Sequence, residues 1–209
     1  MSEQVLDLAQ REREDLVTLL ATLSPEQWLA PSLCTGWRVR DVVGHLIGFD
    51  ELSFRQTAAR FARGRFIVSR INDIGVAALA DRSTDELVDI VRRHTRPRGW
   101  TTSFGGLIAL TDGLIHHQDI RRALDLPRQV PAERLVRILP FARIAPPVGA
   151  LWRARGLRLV ATDLGWAAGR GPELRGPGEA LLLGITGRGA VLDELDGPGA
   201  RILGNRMGG

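Results

Sequence analysis

"DGLIHHQDIRRAL", residues 112–124, sets two adjacent histidines between two aspartates inside an apolar run. The chain has four histidines in all, so this one stretch holds half of them. Wound as an α-helix at about 100° per residue, Asp112, His116 and Asp119 fall within roughly 60° of one another on one face. His117 points elsewhere, toward the side of Leu110 and Leu114. Leu107, Ile108, Ile115, Ile120 and Leu124 make the helix apolar almost all round, the pattern of a helix buried in a bundle. Ionisable groups spaced four apart on such a helix must find partners, because burying them unpaired costs on the order of several kcal/mol.

The composition is that of a globular chain able to bury a core. It has 209 residues, 44% hydrophobic and 25% charged, which argues against wholesale disorder. One cysteine, Cys34, rules out an internal disulfide framework and fits a reducing, cytoplasmic setting. "MSEQVLDLAQREREDL" is acidic and helical in pattern, with no signal-peptide core, and no apolar run reaches the roughly 18 residues that a membrane span needs. All 28 basic residues are arginine, and the net charge is only +4. Such a repertoire reads as GC-rich coding. Clusters such as "RRHTRPRGW" lack the recognition motif and interleaved aromatics of a nucleic-acid surface, so they are read as solvated helix faces and a loop.

Read along the chain, helical patterns occupy the first two-thirds. Val5, Leu8, Leu16, Leu19, Leu20 and Leu23 mark a first helix over residues 3–22. After the turn-rich "LAPSLCTGW", a long helix is expected from about Arg38 to Arg63, stopped near Gly64. Another runs from Thr84 to His94, opened by Ser83 with Glu86 placed for a capping box. A further helix covers 105–124, and "VPAERLVRILPFARI" supplies one more, interrupted by Pro140. Beyond it glycine density rises. "LRLVATDL" alternates like a strand, followed by a short strand, a helix near 178–187, another short helix and a final strand. The expected fold class is α+β: a helical bundle over residues 1–145 and a small α/β domain over 146–209.

The partner for the opening stretch is His45, in "GWRVRDVVGHLIGFDEL", where Val42, His45, Phe49 and Leu52 form one stripe. A histidine from one helix with Asp112 and His116 from another can give three ligands and leave a position open, as in catalytic zinc sites. Asp119 is then suited to orient the His116 ring. Plainer readings stand beside this one. His45 could be a hydrogen-bonded core residue, Asp112 and His116 an i, i+4 ion pair, and Asp119 a partner of Arg122. His94, beside arginines at a helix end, is expected in solvent. Cys34, with no histidine near it in sequence, is read as a small loop residue rather than a nucleophile.

"CTGWRVRDVVGHL", followed much later by "DGLIHHQDIRRALDLPRQVP", resembles the mycothiol-dependent maleylpyruvate isomerase family within the DinB/YfiT-like metal-binding superfamily. The stretch from "LRLVATDL" to "GARIL" resembles that family's small α/β domain, which is sterol-carrier-like. The resemblance spans nearly the whole chain and implies a DinB-like four-helix bundle carrying the metal. It matches the family's metal-binding histidine to His45, its acid–histidine pair to Asp112 and His116, and its following aspartate to Asp119. Asp112 stands where the family's acid is usually glutamate, and Arg38 where threonine or serine often caps the helix. A C-terminal arginine contribution is not assigned among Arg188, Arg201 and Arg206.

The resemblance implies a cytoplasmic enzyme using a divalent metal and the low-molecular-weight thiol mycothiol. Zinc is the first expectation for the metal, with nickel or iron as the others. A thiol S-transferase or maleylpyruvate-isomerase-like activity on a small electrophile follows, with arginines suited to a carboxylate-bearing substrate. No nucleic acid or membrane partner is expected. Two alternatives remain open at this point: a metal-dependent hydrolase with Asp119 or a nearby acid as base, and a non-catalytic binding or regulatory module.

Overall fold

The computed structural model describes residues 2–145 and 149–208, and the chain packs as two compact units, Met1–Arg128 and Gln129–Gly209. The first contains α1 (Ser2–Leu20), α2 (Pro25–Leu29), α3 (Val39–Ile47), α4 (Phe54–Arg63), α5 (Val68–Ala77), α6 (Thr84–Arg93) and α7 (Leu107–Ala123), with a 3₁₀ segment at Gly99–Gly106 before α7. Four helices close a ring: α1 packs on α6 and α7, and α3 packs on the same two from the other side. Leu16, Leu19 and Leu20 of α1 meet Val42, Val43 and Leu46 of α3, Leu87 and Val91 of α6, and Ile120 of α7 in one core. Each fully buried side chain of this size contributes roughly 1.5–3 kcal/mol by leaving water.

The expected long helix over residues 38–63 is two helices. α3 stops at Ile47, and α4 restarts at Phe54 behind a capping box in which Ser53 accepts from Gln56 N and Gln56 Oε1 accepts from Ser53 N. Phe49 and Leu52 therefore lie off the helix, and the four-residue stripe is reduced to Val42 and His45. A further helix, α5, occupies a stretch given no element by the sequence pattern. Ser24 and Gln27 form a similar box at α2, and Ser83 with Glu86 the expected one at α6.

The second unit contains α8 (Ala132–Ile144), α9 (Ala150–Arg153), β1 (Arg158–Ala161), β2 (Trp166–Gly169), β3 (Glu173–Gly176), α10 (Gly178–Ile185), a 3₁₀ segment at Gly189–Glu194, and α11 (Pro198–Asn205). The class is α+β, as expected. The division differs from the expected boundary at 145/146, which adjoins residues 146–148, outside the described residues: α8 belongs to the C-terminal unit, where it packs on α9 and α10. α8 also runs unbroken through Pro140. Val136, the residue whose carbonyl loses its helical donor there, and Pro140 itself are both exposed, so water can take that bond.

The sheet order is β2-β1-β3, with β1 antiparallel to β2 and parallel to β3. The chain crosses from β2 to β3 in only three residues, passing under the start of β1. Side chains are excluded at Gly169 and Gly171. A Cβ on Gly169 or Gly171, at φ +91° and +117°, would stand 2.2 Å from the Leu157 or Gly156 carbonyl oxygen. The expected final strand is instead α11, opened by Pro198 at its first turn.

Candidate metal centre

α7 is buried over most of its length, so its polar residues are constrained by what packs against it. α3 crosses it directly and brings His45, in the last turn of α3, to Asp112 and His116. His45 Nε2 stands 3.5 Å from both Asp112 carboxylate oxygens, and His116 Nε2 stands 3.5 Å from Asp112 Oδ1. One ligand atom from each of the three lies within 4.8 Å of the others. The two imidazoles meet edge to face with centroids 4.7 Å apart. Asp112 is one-third exposed while His45 and His116 are nearly covered, so the cluster opens on the Asp112 side.

The far side of His116 is closed by hydrogen bonds. Its Nδ1 lies 2.8 Å from Asp119 Oδ2, and the Asp119 side chain is fully buried. With Nδ1–H donating there, the Nε2 lone pair is left facing Asp112 and His45. Cys34 Sγ donates to the same Asp119 oxygen at 3.0 Å and lies 3.4 Å from His116 Nδ1. The fold thus overturns the premise that isolated Cys34 in sequence: the loop over residues 31–38 carries it to a histidine 82 residues away. That loop is pinned by Leu33 N donating to the Asp119 carbonyl, by the Pro31–Arg38 bridge, and by Ser32 Oγ, which bonds the Trp37 carbonyl and the Cys34 N–H. It also lays Trp37 over the cluster, 5.1 Å from the His45 ring and 6.3 Å from His116.

Electrostatics follow the geometry. Burial alone would raise the Asp112 carboxyl, but the His45 and His116 imidazoles outweigh it and hold it well below the usual carboxylate range. Burial likewise works against the charged form of His116, and Asp112, with Asp119 behind it, reverses that and raises His116 well above its ordinary value. Without a cation, a protonated His116 is what balances Asp112.

His117 lies on the opposite side of α7, fully buried, as the helical phase requires. Its Nδ1 donates to Glu12 Oε1 at 2.7 Å, and its Nε2 accepts from Arg121 Nε at 2.9 Å. Arg128 bonds the same Glu12 oxygen and reaches Gln118. Burial pushes His117 down to about 4, while Glu12, despite burial, is held at about 2 by His117 and Arg128. Glu12 and Arg128 carried no signal in the sequence, because their partner lies over a hundred residues from them or on another helix. His94 is also not where the sequence put it: its side chain is mostly covered, and its carbonyl accepts from Arg13, which pairs with buried Asp50 at 2.7 Å. In "RRHTRPRGW", Arg92 pairs with Asp89, Arg93 with Glu51, and Arg96 with Glu3 and Asp7. Arg188 and Arg206 bond carbonyls of their own unit. Among the described residues, no helix is long and apolar enough to cross a membrane.

A helical bundle followed by a small α/β unit is a fold shared with a solved mycothiol-dependent maleylpyruvate isomerase. Residues 9–99 match the model of the mycothiol maleylpyruvate isomerase N-terminal domain. The match contains His45 and ends before Asp112 and His116. The crystal structure of the mycothiol-dependent maleylpyruvate isomerase is similar at 14% identity, with a TM-score of 0.57 over 95% of this chain and 93% of that one. A histidine-to-alanine mutant of that enzyme aligns over the same shares with a TM-score of 0.54. No curated protein matches the sequence significantly.

Proposed function

We propose that the chain is a metal-dependent, mycothiol-using enzyme, a thiol S-transferase or maleylpyruvate-isomerase-like catalyst, acting on a small electrophile, with His45, Asp112 and His116 as the metal ligands. One observation carries this reading. Both imidazole Nε2 atoms stand 3.5 Å from the Asp112 carboxylate, long for good hydrogen bonds, yet close to the roughly 3.3 Å that separates donors sharing a tetrahedral zinc. On the other side of the same His116 ring, groups that bond directly stand at 2.8 Å.

Zinc suits two imidazoles and one carboxylate, with nickel or iron as the other candidates. A divalent cation held there would lower the pKa of a thiol reaching its open position, making thiolate available at neutral pH. The protein's own residues prepare that position. Asp119 Oδ2 holds the proton on His116 Nδ1 and so fixes the tautomer. Trp37 covers the imidazole side of the cluster and limits water there. Asp112, the most exposed of the three, marks the side from which a thiol and an electrophile would enter. A hydrolase reading needs a free carboxylate as base, and Asp119 is already engaged by His116 and Cys34.

The test is calorimetric titration of zinc-loaded protein with mycothiol, followed by turnover of maleylpyruvate, monochlorobimane and epoxides. Mycothiol should bind only the metal-loaded form, and at least one electrophile should turn over with both present. Metal uptake near pH 7 should itself release about one proton per ion, since His116 must give up the one it shares with Asp112. Failure of mycothiol to bind loaded protein at millimolar concentration would overturn the thiol reading.

A further inference from the structure

We infer a second small-molecule site in the C-terminal unit, built for an organic anion with a flat apolar body. A cleft of about 680 Å³ lies between α9, the turn that follows it, and the end of β2. That volume falls within the range of ordinary ligand sites. Its apolar wall is Leu151, Trp152 and Leu157, with Leu151 53% and Trp152 59% exposed, large apolar surface left open to water. Its charged wall is Arg143, Arg155 and Arg170, and no acidic residue lines it.

The three arginines are available. None of their side chains makes an ion pair or hydrogen bond among the described residues, and Arg143 Nε is buried without a partner. Other arginines of this unit are spent on its own structure: Arg158 and Arg175 pair with Glu173, and Arg206 holds the carbonyls of Arg153 and Arg155 at 2.6 and 2.8 Å. That last contact fixes the turn carrying Arg155. The opposite wall is fixed by the close passage of Gly169 beneath Leu157. The cleft is therefore preformed.

Charge complementarity selects the occupant. A guanidinium takes a carboxylate through two parallel bonds and also stacks on flat rings, while an exposed indole takes an aromatic or similarly flat body. A cation would face three like charges, and a small hydrophilic anion would leave Trp152 and Leu151 in water. The site rests on neither the metal nor the thiol.

The experiment titrates 1-naphthoate into chelator-treated full-length protein by calorimetry, with 1-naphthalenemethanol and 1-naphthylmethylamine as neutral and cationic counterparts. Naphthoate should bind at one site, and both counterparts should bind roughly tenfold more weakly or worse, the loss of a charge-assisted bond. Arg155→Gln with Arg170→Gln should weaken naphthoate by a similar factor, as should Trp152→Ala. Arg201→Gln, on another element, should leave it unchanged. Both arginines are exposed, so the double variant keeps the test valid even if Trp152→Ala fails to fold. Equal binding of the alcohol, full binding by the double variant, displacement of naphthoate by equimolar acetate, or no binding at millimolar naphthoate would each overturn the inference.

Discussion

His116 and His117 are neighbours in sequence and opposites in the fold. His117 completes a closed network: both ring nitrogens are bonded at 2.7–2.9 Å, to Glu12 and Arg121. His116 is bonded on one side only, at 2.8 Å to Asp119, and its other nitrogen faces groups 3.5 Å away. Both clusters bury ionisable groups, so burial and charge do not separate a structural network from a ligand set. Spacing does. Groups that satisfy each other close to hydrogen-bond length, and groups that await a shared cation stand farther apart.

The largest effect that tests this contrast is on metal binding. His116→Ala and His45→Ala should each abolish stoichiometric zinc, measured by elemental analysis after purification without chelator, and activity should vanish with it. Two remaining ligands hold zinc poorly. His117→Ala should keep one zinc per chain. If His117→Ala loses the metal while His116→Ala retains it, the two faces have been assigned the wrong way round.

Next in size is the orienting contact. Asp119→Asn preserves shape but removes the anion that holds the His116 proton, and should weaken zinc by roughly 10–100-fold in a competition assay with a chromophoric chelator. An unchanged affinity would show that Asp119 serves the fold alone.

The His117 face should break through stability. His117→Ala opens a cavity and strands the Arg121 Nε–H, at a cost on the order of 3 kcal/mol in urea unfolding of chelator-treated protein. The pH dependence has a definite sign. His117 is depressed in the fold to about 4 from 6.5, so the unfolded chain takes up a proton that the folded one refuses. Stability is present above about pH 6.5 and is lost as pH falls toward 4, and Glu12, depressed from 4.5 to about 2, extends the loss below that. The raised His116 adds no slope in this window, because it is protonated there in both states. His117→Ala should flatten the upper part of the curve, between pH 6.5 and 4.

What could be read from the sequence follows from how far each signal travels. The phase of α7 placed Asp112, His116 and Asp119 together and turned His117 away, because the 3.6-residue period is local. His45 meets Asp112 in the structure, a pairing legible because the chain has only four histidines. The break between α3 and α4 was written in "SFRQ", a capping box overlooked inside an otherwise helical pattern. The β2–β3 crossing explains two glycines only once Leu157 and Gly156 are known to lie against them. α11 carries Pro198 at its first turn, a helix signal, yet the glycines around it read as strand and turn. Glu12, Arg128 and Cys34 were out of reach, since their importance comes from contacts across 82 to 116 residues.

Cys34 gives the smallest expected effect and the finest test of the contrast between the two faces. Its thiol donates to the Asp119 oxygen that already accepts from His116, so it lies behind the proposed ligand set and not in it. Cys34→Ser keeps a donor in place and should leave zinc affinity within about twofold. Cys34→Ala removes the donor and should weaken it by several-fold at most, since a neutral bond of this kind contributes only about 1 kcal/mol. Cobalt substitution reads the difference directly: the visible spectrum of the cobalt protein should lack a thiolate charge-transfer band and should be nearly the same in wild type and Cys34→Ser. A strong near-ultraviolet sulfur band in the wild type, absent from Cys34→Ser, would place the metal on the Cys34–Asp119 side of His116. The 2.8 and 3.0 Å spacings would then be those of a collapsed ligand set, and distance would no longer separate the two kinds of cluster.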